Sequence, residues 1–275
     1  MKQMFITDLD HTFLRNDLTI SAFTKDVWNT NATTALLSVA TARSYKKTTE
    51  FLQGLHLALP MVLLDGALIV NEKSEIISTK LINRDLANSI IFESNKFDIH
   101  PFILAMKDSI FDEKFIYPKK RNLYQEELLK RYTGDDNIVE HSGVATENKN
   151  LKLVYMAHEN VLRPLTEHLK SVFNDSLEFK LAPEAYLGCY FLTVLHPEAD
   201  KAHGLRTISE YMSHNLSDIT VFGDNLNDLG MFELAGTAVA VKNAQEEVKK
   251  VADIILKHTN DEDAVAKYLK EIHEK

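Results

Sequence analysis

The chain has 275 residues, 45% hydrophobic and 26% charged, with 9 Gly and 6 Pro. That is the composition of a globular protein sized for one large domain or two small ones. A net charge of −9 with no basic stripe excludes a nucleic-acid partner held through phosphate contacts, and a lone cysteine, Cys189, excludes an internal disulfide framework.

Met4–Thr7 reads as a short buried strand, but its apolar run is cut by Asp8 and Asp10. It is therefore expected to be neither a signal peptide nor a membrane span, and the protein is expected to be cytoplasmic, with no membrane partner. Ala22–Thr30 follows as a helix, Ala35–Ala40 as a second apolar run ending at Thr41, and Tyr45–Leu55 as another helix. Met61–Leu64 is a third strand, closed by the turn-like pair Asp65-Gly66. Short, fully apolar strands separated by helices predict a parallel sheet covered on both faces.

From about residue 83 to 188 the texture changes. Longer amphipathic helices (Arg84–Ser94, Asn122–Arg131, Asn160–Phe173) mix with exposed-looking strands (Lys114–Tyr117, Leu151–Met156, Glu178–Leu181) and a polar stretch from Gly134 to Lys149. This predicts an inserted α+β domain of about a hundred residues. The first texture then returns. His203–Tyr211 is a helix, Ile219–Phe222 a strand, Asp228–Leu234 a helix, Thr237–Val241 a strand and Glu246–Val251 a helix. Asp253–Leu256 and the amphipathic tail Asp261–Ile272 complete it. The predicted class is α/β, a Rossmann-like three-layer core from residues 1–82 and 189–275 around the inserted domain.

Four features carry chemistry. In Phe5-Ile6-Thr7-Asp8-Leu9-Asp10-His11-Thr12 a buried strand delivers two carboxylates at i and i+2. They share one side if the strand stays extended that far, at the strand end where open α/β sheets bind ligands. Two acids so close need a cation, or one of them takes up a proton. In Val221-Phe222-Gly223-Asp224-Asn225-Leu226-Asn227-Asp228 a second strand runs into acids at i and i+4. If Asn225 starts a helix, Asp224 caps it and Asp228 faces the same point one turn on. Four carboxylates from two strand ends make an oxygen-only site, suited to Mg²⁺ rather than zinc. Thr41, in Val39-Ala40-Thr41-Ala42-Arg43, offers a hydroxyl and nearby N–H groups to a phosphoryl oxygen, with Arg43 within reach of a substrate. Asp200 is a plausible N-cap that puts Lys201 in a first helical turn, where a cation opposes the helix dipole and so suggests another task for the ammonium.

In this order (acid pair, hydroxyl, lysine, acid pair) the sequence resembles the haloacid dehalogenase superfamily of phosphatases, and within it the Cof-type branch with a large α+β cap. The resemblance implies a Mg²⁺-dependent phosphatase acting on a small phosphomonoester, a sugar phosphate or phosphorylated cofactor, with the cap setting substrate choice. Asp8 would be the phosphoryl acceptor and Asp10 the general acid and base. Asp8, the Asp10 carbonyl, Asp224 and Asp228 would hold the metal. Thr41, Ala42, Arg43, Asp65, Gly66, Lys201 and Asn227 would line the substrate site. Three positions depart from the branch: His11 and Ala42 stand where Gly is usual, and Asp65 where Asn precedes Gly66.

A phosphotransferase or mutase on the same core would share these groups. A receiver-like signalling module would need only about a hundred residues and no acid at i+2. Neither a Gly-x-Gly-x-x-Gly motif nor a Gly-Lys-Ser/Thr loop is present, and the histidines lack metal spacing. The expected oligomeric state is a monomer or weak homodimer.

Overall fold

A computed structural model describes residues 2–145, 147–184 and 187–273. The chain runs β1 (Met4–Thr7), α1 (Ala22–Asn31), β2 (Leu36–Val39), α2 (Tyr45–Phe51), β3 (Met61–Leu63), β4 (Leu68–Val70) and β5 (Ile76–Thr79). It continues through α3 (Arg84–Asn95), β6 (Phe102–Met106), β7 (Lys114–Pro118), α4 (Leu123–Lys130), β8 (Ile138–His141), β9 (Lys149–Ala157) and α5 (Glu159–Phe173). Then come β10 (Glu178–Glu184), β11 (Cys189–Leu195), α6 (Lys201–Met212), β12 (Ile219–Gly223) and α7 (Leu229–Leu234). The last elements are β13 (Thr237–Ala240), α8 (Glu246–Val251), β14 (Ile254–Ile255) and α9 (Ala264–His273).

The chain divides into two compact units, one of residues 1–78 and 200–275, the other of residues 79–199. In the first, a parallel sheet is ordered β14-β13-β12-β1-β2. Its central strands β1 and β12 are buried almost throughout, as a parallel sheet covered on both faces requires. β3 touches this sheet through a parallel bridge between Ala40 and Val62, and itself forms a small sheet with β4 and β5. β3 matches the strand expected at Met61–Leu64, whereas β4 and β5 have no counterpart among the expected elements. Ser21, Ser44 and Asp200 cap α1, α2 and α6 through side-chain oxygens, the last as expected.

The second unit is a six-stranded sheet ordered β10-β11-β9-β6-β7-β8, antiparallel except between β7 and β8. One face packs on α3 and α5 through Ile90, Ile91, Leu165, Leu169, Leu153 and Leu192. On the other, Phe102, Val154, Met156 and Cys189 pack with Tyr124 and Leu128 of α4. The structure moves the unit boundaries to 78/79 and 199/200, so the expected break at 188/189 is corrected. β11 is held between β10 and β9, and the ladder keeps residues 189–195 with the inserted sheet. β8 also lies inside the stretch read as polar, where strand pairing with β7 outweighs composition.

Candidate active site

Asp8 follows β1 directly, and its N–H donates to the Phe222 carbonyl at 2.9 Å, continuing the β1–β12 ladder by one residue. The extended backbone ends there. Asp10 already lies in a turn, so the expectation that both carboxylates share one side of a strand is not met. They meet different cations instead. Lys201 Nζ donates to Asp8 Oδ1 at 2.5 Å and to Asp228 Oδ1 at 2.7 Å. Arg43 Nε donates to Asp10 Oδ2 at 2.7 Å. His11, next in the chain, has φ 58°, a left-handed conformation that explains why glycine suits this position and that histidine tolerates better than most residues.

The second acid pair is arranged differently from the helix cap expected of Asp224. The N-cap is Asn225, and the following turn, residues 226–228, is 3₁₀. Asp228 folds back so that its Oδ2 accepts from the Asp224 and Asn225 N–H groups at 2.9 and 3.0 Å. Gly223 makes this possible, since a Cβ there would lie 2.5 Å from Asp228 Oδ2. The Asp224 carboxylate is thus left for the site and accepts from Thr12 Oγ1 at 2.9 Å. Thr12 stands in the first motif, but its residue type and spacing alone assign it no role. Gln245 was missed altogether, although it donates its N–H to the Asp224 carbonyl and its amide to Asn225 Oδ1. Nothing in the residues around Gln245 signals that contact.

Carboxylate oxygens of Asp8, Asp224 and Asp228 all lie within 4.8 Å of one another, and all three residues are buried. Asp10's side chain is not part of this group. Burial pushes the Asp8 carboxyl well up; Lys201 opposes that, while Asp228, Asp224 and Asp10 add to it. Burial and then Asp228 raise Asp224 to about 7, against the Thr12 bond and Lys201. Burial alone would favour a neutral Lys201, but Asp228, Asp8 and Asp65 overturn this and hold its proton above the usual lysine range. Fully ionised, the three acids would carry more negative charge than the one lysine neutralises, so without a cation the cluster favours taking up protons. Three buried all-oxygen donors with a surplus of negative charge suit a hard divalent cation such as Mg²⁺.

Thr41 is fully buried, and its Oγ1 accepts from the Arg43 N–H at 3.1 Å. Ala42 lies in the bend between them. Arg43 also stands over the Phe51 ring, 4.6 Å from its centroid, and so serves Asp10 and the protein rather than only a substrate. Asp65 is 5% exposed and accepts from Asn227 Nδ2 at 3.0 Å. Gly66, with φ +95°, lets this turn press against the start of α6; a Cβ there would lie 2.1 Å from the Asp200 carbonyl oxygen.

The profile of the haloacid dehalogenase-like hydrolases matches residues 5–269. The chain belongs to this family of hydrolases. It is 26% identical over 271 residues to the 5-amino-6-(5-phospho-D-ribitylamino)uracil phosphatase YitU of Bacillus subtilis, covering 96% of this chain and 95% of that one. The structure of TM0651 from Thermotoga maritima aligns with a TM-score of 0.80 and 26% identity over 98% and 97% of the two chains. The subclass IIB sugar phosphatase BT4131 shares the fold, with a TM-score of 0.77, 19% identity and 98% and 99% coverage. Among the described residues no helix is long and apolar enough to cross a membrane.

Proposed function

We propose that the protein hydrolyses a small phosphomonoester through a covalent phosphoryl group on Asp8. The observation that carries this reading is the buried contact of Asp8 with Lys201, inside the acid triad completed by Asp224 and Asp228. An Asp8 oxygen attacks phosphorus, forming the P–Oδ bond as the ester P–O bond breaks. Asp10, held by Arg43, protonates the departing alkoxide. The same carboxylate then removes a proton from water, which attacks phosphorus, breaks the P–Oδ bond and releases orthophosphate. Lys201, the Thr41 hydroxyl and the Asn227 amide are the groups available to spread the phosphoryl charge. Asp8, Asp224 and Asp228 would hold Mg²⁺, which when bound supplies charge neutralisation for the acids and the phosphoryl group.

The names of the relatives support a substrate that is a phosphorylated cofactor precursor or a sugar phosphate. The test is orthophosphate release over a panel of such monoesters, with Asp8→Asn as control. Turnover that survives Asp8→Asn, or that ignores EDTA, would overturn the reading.

A further inference from the structure

Residues 241–245, the turn from β13 into α8, touch both acid-bearing loops at once. Towards the second loop, the Val241 N–H donates to the Gly223 carbonyl at 3.3 Å and the Gln245 N–H to the Asp224 carbonyl at 2.9 Å. The Gln245 side chain reaches one residue further, its Nε2 donating to Asn225 Oδ1 at 2.7 Å. Towards the first loop, Asn243 Nδ2 donates at 2.7 Å to the carbonyl of His11, the residue after Asp10. Asn243 is itself fixed, because its Oδ1 accepts from the Asn260 N–H at 2.9 Å. Asn260 in turn holds the Leu14 carbonyl through Nδ2, also at 2.9 Å.

Most of what these bonds grip is backbone, so they set the distance between the two loops rather than the rotation of a carboxylate. The direct link, Thr12 Oγ1 to the Asp224 carboxylate, engages side chains and leaves that spacing free. The spacing needs holding. When ionised, Asp8, Asp224 and Asp228 repel one another, and their oxygens lie within 4.8 Å. The left-handed backbone of His11, φ 58°, adds strain that persists only where its surroundings enforce it. Oxygens already in place when a cation arrives bind it more tightly, because no reorganisation then opposes binding.

We propose that Asn243 and Gln245 are positioning residues that tie the two acid-bearing loops together and hold the cation site at its working size. This rests on the phosphatase reading above for the role of the acids. Each side chain acts through the loop it holds. Asn243 is exposed and Gln245 half-buried, so replacing either leaves the hydrophobic core intact.

The test is calorimetric binding of Mg²⁺ to the folded protein, wild type against Asn243→Ala, Gln245→Met and the double variant. Each single variant should weaken Mg²⁺ binding by about tenfold, the lower end of what losing a residue that supports metal ligands costs. Either cut frees the loops from each other, so the double variant should bind little more weakly than the worse single one. A merely structural role would lower the melting temperature and leave the Mg²⁺ dissociation constant unchanged. That result, or losses that simply add, overturns the proposal. Without metal, the readout is amide hydrogen exchange. Asn243→Ala, whose lost bond is to His11, should speed exchange of the Asp224 and Asn225 N–H groups in the other loop. Unchanged exchange there also overturns it. Failure of the phosphatase reading would show separately, as absence of orthophosphate release by the wild type.

Discussion

The Arg43 guanidinium grips the Asp10 carboxylate through two nitrogens, Nε to Oδ2 at 2.7 Å and Nη2 to Oδ1 at 2.5 Å. A planar fork fixes both the position and the rotation of a carboxylate, which a lysine cannot do. Arg43 is therefore a positioning residue for the proposed acid and base. Arg43→Lys should lower kcat by roughly tenfold, with a smaller change in KM, because aiming a proton-transfer group matters most in the transition state. A rise in KM at constant kcat would instead assign Arg43 to substrate binding.

Asp10→Asn keeps the shape of that contact but removes the proton carrier. Turnover should fall by about 10²–10⁴-fold, the usual worth of general acid–base catalysis. With substrates whose leaving group needs no proton, the loss should fall mainly on the second step. Acid-quenched protein should then carry phosphate on Asp8, readable by mass spectrometry.

Lys201 is completely buried between Asp8 and Asp228. Lys201→Met should abolish activity and lower stability by about 3–5 kcal/mol, since it leaves buried carboxylates without their cation. Added Mg²⁺ should recover part of the lost melting temperature, because it offers the same acids another positive charge. A melting temperature indifferent to Mg²⁺ in this variant would contradict the assigned metal site.

The pH dependence has a defined sign. Asp224 is raised from its usual 3.8 to about 7 by burial and by Asp228. Between those values the metal-free folded state binds a proton that the unfolded chain does not, so its stability falls as pH rises through that window. The cation must displace this proton. The rise in melting temperature caused by Mg²⁺ should consequently be small near pH 5 and grow towards pH 8, measured by thermal unfolding at fixed metal concentration.

Gly223 leaves no room for a side chain, because an added Cβ would sit 2.5 Å from Asp228 Oδ2. Gly223→Ala should therefore displace Asp228 from the Asp224 and Asn225 N–H groups and weaken Mg²⁺ binding. A lower melting temperature together with a higher Mg²⁺ requirement would be the expected outcome. Mg²⁺ affinity equal to wild type would show that Asp228 does not need this position.

The sequence by itself determined where the chemistry-bearing residues stand along the chain. Apolar runs ending in Asp8, Thr41 and Asp224 mark strand ends, and the Asp200 cap marks the start of α6. These are local patterns, governed by side-chain period and by the few residues that can terminate a strand or cap a helix. Partner choice was not legible there. Which acid takes which cation depends on contacts between residues 193, 33 and 27 positions apart, as for Lys201 with Asp8, Arg43 with Asp10 and Lys201 with Asp228. Those follow from the sheet order that sets β1 between β12 and β2. The same holds for β11, whose ladder partners, not its composition, decide which unit it joins. The turn at residues 64–66 likewise owes its left-handed backbone to bonds from the neighbouring loop. Tertiary structure decided these points because hydrogen bonding and burial there join segments distant in sequence, whose approach no local pattern encodes.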